Sequence, residues 1–151
     1  MAGDQKGFTL IELLIVVAII GLLAAIAMPN LMNALQRAKQ AKTVADMREI
    51  GAALEKYAVD NNTYPHGLTD AGAAEVSTFL SPLYLRAVPP GDGWKNRWHI
   101  DTTSNGTTFT ITSYGRDGIS GPQNGGPVTG LDCDIVFSNM SFYQWPEGAQ
   151  Q

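Results

Sequence analysis

Residues 8–28 read FTLIELLIVVAIIGLLAAIAM, an apolar run in which Thr9 and Glu12 are the only polar side chains. As an α-helix rising about 1.5 Å per residue, a run of this length extends about 31 Å, close to the thickness of the hydrocarbon core of a bilayer. The run therefore predicts a membrane-spanning helix. A carboxylate one turn into such a helix is costly unless a partner offsets its charge, so Glu12 is a candidate functional residue.

A polar leader, MAGDQKG, precedes this run and ends in Gly7. A secretory signal peptide has a shorter apolar region followed by a small-residue cleavage site, and this segment does not fit that pattern. Cleavage after Gly7 would leave the whole helix on the mature chain and create an α-amino group on Phe8, four residues from Glu12. We expect the amine and the carboxylate to pair in lipid, within one subunit or between neighbours.

The segment Lys6-Gly7-Phe8-Thr9-Leu10-Ile11-Glu12 resembles the signal of type IV pilins and type II secretion pseudopilins. The resemblance implies cleavage after Gly7, N-methylation of Phe8 by a prepilin peptidase, and pairing of Glu12 with the N-terminus of an adjacent subunit during assembly. The alternative is an ordinary single-pass anchor that tolerates an acid near the interface, where a carboxylate can snorkel.

Gly21 and Pro29 interrupt the apolar pattern, and Pro29 is expected to kink the helix or mark its exit from lipid. In the pilin family these positions bracket a portion of helix that loosens when subunits pack into a filament, although a kink without a role in assembly fits the residues equally well. Residues 30–60 predict an amphipathic continuation, because apolar side chains recur at spacings of three and four between charged ones. We expect this stripe to pack on a soluble domain.

Length, charge and cysteine content limit what the rest of the chain can be. The 151 residues, 44% of them hydrophobic, allow one modest domain besides the helix. Residues 61–151 hold eight acidic and four basic side chains, which argues against nucleic-acid binding and is compatible with binding a cation. The single cysteine, Cys133, cannot form an internal disulfide.

Residues 61–151 predict a small α+β head. The helix is expected to end at Asn61-Asn62, and a short helix is expected around 71–83. Strands are predicted at 94–100, 107–113 and 134–139, with a hairpin turn at 104–106.

A set of stretches resembles, in this order and over essentially the whole chain, the major pseudopilins of type II secretion: residues 57–65, the Asp92-Gly93-Trp94 turn, the hairpin, and residues 113–118 followed by Asp134-Ile135. The turn at residues 92–97 reads DGWKNR where the family has Asp-Pro-Trp-Gly-Asn-Pro. The connection from 119 to 131 is long, and the tail from 140 to 151 is extended.

A glycine-rich loop with an acid at each end, Asp117 and Asp134, is the candidate metal site. Calcium takes six to eight oxygens from carboxylates, carbonyls and water, which such a loop can provide. The spacing does not match an EF-hand, and the residues alone leave a plain surface turn as the alternative. Major pseudopilins bind calcium in the corresponding loop. The resemblance implies Asp117 and Asp134 as ligands, Ser113 or Tyr114 as a carbonyl donor, and Asp132 as an additional or alternative carboxylate.

No motif of a catalytic site is found in the sequence, since His66 and His99 lack ligand spacing and Cys133 has no neighbouring base. The expected fold is α+β: a long N-terminal helix, with a transmembrane half and an amphipathic half, packed on a small antiparallel sheet with a C-terminal calcium loop. The expected divisions are a leader at 1–7, a membrane helix at 8–29, an amphipathic helix at 30–60 and a head at 61–151.

These features predict a structural subunit and not an enzyme. The subunit would sit in the bacterial inner membrane by a single span, with its C-terminal domain in the periplasm, and polymerise into a helical homo-oligomeric pseudopilus for protein export. The resemblance implies minor pseudopilins, a prepilin peptidase, an assembly ATPase and an inner-membrane platform as partners. Two alternatives remain: a type IV pilin of a surface pilus for adhesion, motility or DNA uptake, and a membrane-anchored enzyme or binding domain that uses the same signal.

Overall fold

The computed structural model describes residues 7–149. The first six residues of the predicted leader lie outside that range. By their internal contacts the described residues divide into two compact units, one up to Leu35 and one from Gln36 onward. Of the described residues, one helix is long and apolar enough to cross a membrane by length and composition.

Helix α1 comprises Leu10–Asn61 and continues through Pro29. In the second unit it buries a stripe at spacings of three and four, as the amphipathic pattern predicts. Gly51 lies in this stripe, where an added Cβ would come within 2.4 Å of Phe137 Cε1, so the helix packs closely on the sheet. The buried residues of α1 are Thr43, Val44, Met47, Ile50, Gly51, Ala53 and Leu54.

The head adds helix α2, Ala73–Leu80, and one five-stranded sheet. Glu75 caps α2 by accepting the Gly72 N–H at 2.9 Å. The strands occur in the spatial order β1-β2-β4-β5-β3. Their bounds are His99–Thr102 for β1, Phe109–Ser113 for β2, Gly126–Val128 for β3, Ile135–Ser138 for β4 and Ser141–Pro146 for β5.

The predicted α+β fold is confirmed, but the prediction of a purely antiparallel sheet was wrong. Strands β1, β2, β4 and β5 pair antiparallel, whereas β3 pairs parallel with β5, with Gly126 opposite Gln144. The chain reverses direction between β3 and β4, and it reverses again in the hairpin between β4 and β5. Strand β3, which lies at the outer edge of β5, therefore runs parallel to β5. The sheet is therefore mixed.

The predicted strand at 94–100 was placed too early, since β1 begins at His99. Asp92 is the physical reason: its Oδ1 accepts the backbone N–H groups of Trp94 and Asn96, each at 2.9 Å. These hydrogen bonds fold residues 92–96 into a turn and take two donors away from any strand ladder.

A core of buried side chains from Val44 to Phe142 joins α1, α2 and the sheet, and partly buried aromatic side chains such as Trp145 pack against it. Trp98 and Phe109 are its largest fully buried side chains, at 0% and 1% exposure, and Phe137 lies between Phe109 and Phe142. The core fixes β2 and β4, whose ends lead into the glycine-rich loop between Asp117 and Asp134.

Candidate functional site: the signal segment and the cation loop

The start of α1 brings Thr9 and Glu12 together. Glu12 Oε2 accepts hydrogen bonds from the backbone N–H and the hydroxyl of Thr9, both at 2.8 Å, and the Glu12 N–H donates to Thr9 Oγ1 at 3.3 Å. This is a capping box, in which the side chains of the N-cap and N3 residues satisfy each other's backbone donors. The sequence contains its signature, Thr-x-x-Glu, but reasoning from the membrane cost of Glu12 did not use it.

The apolar side chains of residues 8–28 are exposed in this structure. Phe8 is 82% exposed and Leu10 is 91% exposed, and the large hydrophobic side chains from Ile11 to Met28 are each about half exposed or more. An added Cβ at Gly7 or Gly21 would meet nothing within 4 Å. A continuous apolar surface of this kind requires lipid or other protein chains around it.

Asp134 is the buried acid of the cation loop, which we define as residues 117–134. Its side chain is 0% exposed at the start of β4. Its two carboxylate oxygens accept the Gly121 N–H at 3.1 and 3.2 Å, and Oδ2 also accepts Gln123 Nε2 at 3.1 Å. Burial raises the pKa of Asp134 above its ordinary value, and the nearby charge of Asp117 raises it further, against the effect of these hydrogen bonds.

Asp117 lies at the other end of the cation loop and is exposed. Its Oδ1 accepts the Ile119 N–H at 3.1 Å, which closes a local turn around Gly118. Its charge contributes to the raised pKa of Asp134. A carboxylate whose ionised form is disfavoured in this way is stabilised by a proton or by a nearby cation.

The remaining candidate ligands have other contacts. Asp132 makes a two-pronged ion pair with Arg116, at 2.7 Å for each bond, and this contact lowers the pKa of Asp132. The Ser113 hydroxyl donates to Asp92 Oδ2 at 2.7 Å, and the Tyr114 ring stacks on His99 with centroids 3.9 Å apart. Asp132 is therefore directed to Arg116 in this structure.

Within residues 7–149, no three His, Cys, Asp or Glu side chains converge as a metal cluster. A cation between Asp117 and Asp134 would need main-chain oxygens and water to complete its shell. Calcium accepts such a mixed set of hard oxygen ligands, and the donor set of the loop fits it better than a metal that prefers nitrogen or sulfur.

Two residues of the neighbouring turn, Asp92 and Asn96, were missed by the sequence reasoning. Asp92 is 4% exposed and joins the turn to Ser113 at the end of β2. Asn96 Nδ2 donates to the Gly115 carbonyl at 2.7 Å. The Asp-Gly pair indicates a turn in the sequence, but the contacts of this turn with Ser113 and Gly115 join residues about 20 positions apart in the chain.

Comparison with known proteins decides the family. The model of the type II secretion system (T2SS) protein G family matches residues 30–129, and that of the prokaryotic N-terminal methylation motif matches residues 3–28. The chain belongs to the type II secretion system protein G family. The two matches together include the signal segment, all of α1 except Pro29, and the head as far as β3.

Several curated relatives are similar along most of their length. The type II secretion system core protein G of Vibrio cholerae is 34% identical over 85% of this chain and 89% of its own. The protein of the same name from Aeromonas hydrophila is 34% identical over 80% of this chain and 89% of its own. That of Escherichia coli is 31% identical, over 80% and 88% respectively.

The predicted resemblance to the major pseudopilins is thereby confirmed, and with it the predicted function of a structural pseudopilus subunit in protein secretion. The N-terminal methylation motif and the apolar helix also agree with a membrane-anchored subunit. The protein G family is structural, in line with the absence of a catalytic motif from the sequence.

Proposed function

We propose that this protein is made as an inner-membrane precursor and polymerises into a periplasmic pseudopilus. The main support for this proposal is the exposed apolar surface of residues 8–28, together with the methylation motif at residues 3–28. Before assembly, lipid would cover this surface. In the filament, the same surface of neighbouring subunits would cover it, so the helix exchanges one apolar environment for another.

Processing would occur at the junction of Gly7 and Phe8. A prepilin peptidase would cleave after Gly7 and methylate the new amine of Phe8. An added Cβ at Gly7 would meet nothing within 4 Å, and Phe8 precedes the first turn of α1, so the scissile bond would lie in exposed chain outside the helix.

Glu12 would then fix the position of each incoming subunit. An unpaired carboxylate in hydrocarbon costs several kcal/mol, on the order of 3 kcal/mol by insertion measurements. Thr9 satisfies one oxygen, Oε2, within the subunit. The amine of a neighbouring Phe8 would neutralise the remaining charge, and only one axial position of the subunit makes that contact. Gly21 and Pro29 would permit α1 to loosen during packing.

Calcium in the cation loop would hold the head in its assembly-competent form. Asp117 and Asp134 would supply carboxylate oxygens, and Ser113 or Tyr114 would supply a carbonyl. Asp132 would join the shell only by leaving Arg116. When bound, calcium would supply positive charge that offsets the repulsion between the buried Asp134 and Asp117.

The proposed partners would supply the energy for assembly, for which the sequence contains no motif. It has no nucleotide-binding motif, so an assembly ATPase and an inner-membrane platform would drive polymerisation. Minor pseudopilins would act with it in the same filament. The head would lie in the periplasm, and the acidic charge of residues 61–151 supports no role in binding nucleic acid.

A deletion strain tests the function. Loss of exoprotein secretion with retention of surface fibres supports the pseudopilus, and the opposite result supports a type IV pilus. Complementation with Glu12→Ala should restore membrane insertion but not secretion. Full secretion by that variant would contradict a role in polymerisation and favour a membrane-anchored enzyme or binding domain.

Thermal unfolding of residues 36–149 tests the calcium site. Calcium at about 100 times its dissociation constant should add about 2.7 kcal/mol to stability and raise the Tm by several degrees relative to chelator. Asp117→Ala and Asp134→Ala should each abolish this shift. The matched control, Asp101→Ala, removes an acid outside the loop and should keep it. An unchanged Tm in wild type with and without chelator would contradict the calcium role.

A further inference from the structure

The turn at residues 92–96 contacts three other parts of the chain, namely the end of β2, helix α1 and the segment around Gly115. Asp92 Oδ1 accepts the N–H groups of Trp94 and Asn96 at 2.9 Å, and the Asp92 N–H donates to the Asn96 carbonyl at 2.9 Å. Asp92 Oδ2 accepts the buried Ser113 hydroxyl at 2.7 Å. The turn is thus closed on itself and anchored to the end of β2, from which the chain continues toward the cation loop.

The same turn is fixed to helix α1. The Gly93 N–H donates to Thr43 Oγ1 at 2.9 Å, and Trp94 Nε1 donates to Gln36 Oε1 at 2.7 Å. An added Cβ at Gly93 would lie 2.0 Å from the Lys39 carbonyl oxygen, so only glycine permits this approach to the helix. Asn96 therefore lies in a turn that is fixed by hydrogen bonds both to β2 and to α1.

Asn96 reaches from this turn to the segment that carries Asp117. Its Nδ2 donates to the Gly115 carbonyl at 2.7 Å, and an added Cβ at Gly118 would meet the Asn96 amide at 3.1 Å. Gly115 and Gly118 both have positive φ, at 70° and 68°. The amide thus lies against both glycines that give the segment its left-handed bends.

Gly115 also lies close to the chain that leads to Asp134. An added Cβ there would lie 2.8 Å from the Cys133 carbonyl oxygen and 2.9 Å from that of Leu131. The adjoining Arg116 N–H donates to the Leu131 carbonyl at 2.9 Å. The segment Gly115–Arg116 is therefore close both to the Asn96 amide and to the backbone before Asp134.

We propose that Asn96 is a positioning residue for the cation loop: by holding Gly115 and Gly118, it sets the separation between Asp117 and Asp134 at which calcium is bound. This inference rests on the proposed calcium role. Groups that orient metal ligands without touching the metal typically affect affinity by about 10- to 100-fold. Asn96 acts on the ligands through two glycine peptides, so we expect its loss to weaken calcium affinity by an amount near the lower end of this range.

The test is calcium titration calorimetry of the full chain in detergent, with Asn96→Ala and a matched control. Asn139→Ala removes another amide bonded to backbone, since Asn139 Oδ1 accepts the Phe109 N–H at 3.1 Å, at the opposite end of β2 from Ser113. Asn96→Ala should weaken the Kd for calcium by about tenfold. Asn139→Ala should lower the Tm without calcium but keep the wild-type Kd. Asn96→Gln, which retains the amide donor, should recover part of the affinity.

The possible outcomes separate this inference from the calcium role itself. Wild-type affinity in Asn96→Ala overturns the positioning role and leaves the calcium site intact. Equal weakening in Asn96→Ala and Asn139→Ala also overturns it, because the loss would then follow general stability. Absence of calcium binding by the wild-type chain overturns both.

Discussion

Glu12 satisfies different requirements in the single chain and in the proposed filament. In the single chain its Oε2 belongs to the capping box with Thr9, which stabilises the first turn of α1. In the filament its charge would still need a cation, because hydrogen bonds from neutral groups do not cancel the charge of a carboxylate. The capping contact therefore orients Glu12 without removing its need for a partner.

Tyr64 gives a prediction at the residue scale. Its hydroxyl donates to Glu55 Oε1 at 2.6 Å, and partial burial, with Glu55 adding to it, raises its pKa from 10.0 to about 12. The folded head favours the neutral phenol, so the contribution of Tyr64 to stability is complete below about pH 10 and is lost as the pH rises through about 12. Urea unfolding of wild type and Tyr64→Phe should differ most at pH 9, and the difference should shrink toward pH 12. A difference independent of pH would contradict this assignment.

How well the sequence predicted single residues depended on whether their partners are close in the chain. The signal from Gly7 to Glu12 was recognised because its residues have a fixed local spacing. Asp92 and Asn96 were missed because their partners, Ser113 and Gly115, are about 20 residues away. A hydrogen bond between distant segments leaves no periodicity in the sequence.

At the scale of elements, α1 and β2 were predicted well, whereas β3 and β5 were missed. The amphipathic stripe of α1 extends over many turns, so its period is clear. Strand β5 alternates correctly, but Gln144 occupies one of its buried positions and hides the apolar pattern. Gln144 is accommodated because its Nε2 donates to the Asp134 carbonyl at 2.9 Å and its Oε1 accepts the Gly125 N–H at 3.1 Å. Strand β3 contains only Gly-Pro-Val, which indicates a turn.

The contact between α1 and β4 gives a prediction at this scale. Gly51→Ala should destabilise the head, although alanine favours helix over glycine by about 1 kcal/mol. The new Cβ would lie 2.4 Å from Phe137 Cε1, and Phe137 is held between Phe109 and Phe142 and has no room to move away. Overpacking of this kind costs about 1 to 3 kcal/mol, so urea unfolding should show a net loss.

A second substitution shows whether that loss comes from the predicted clash. In a Phe137→Leu background the aromatic ring is absent, and Gly51→Ala should cost less than it does in the wild-type protein. In the double-mutant cycle, the loss of stability in the double mutant should therefore be smaller than the sum of the losses in the two single mutants. Additive losses would mean that Gly51 is required for a reason other than close packing on Phe137.

For the whole molecule, the two units differ in what they need in order to be stable. The buried core runs from Val44 to Phe142, within the second unit. The described residues of the first unit, 7–35, take no part in that core and expose a long apolar surface. We therefore expect the head to fold without the segment that drives association, as a subunit must if it is to stay folded while its helix passes from membrane to filament.

This separation predicts that residues 36–149 fold without the membrane segment and do not associate. The fragment retains the helix stripe from Thr43 to Leu54, the whole sheet and the turn at 92–96, and it lacks the exposed side chains from Phe8 to Leu35. Circular dichroism should show cooperative unfolding, and size-exclusion chromatography with light scattering should give a monomer. The detergent-solubilised full chain should associate as detergent is removed, because its apolar surface must then be covered by other subunits. An unfolded fragment would show that the head needs the first unit. A fragment that oligomerises as strongly as the full chain would show that contacts between heads drive assembly.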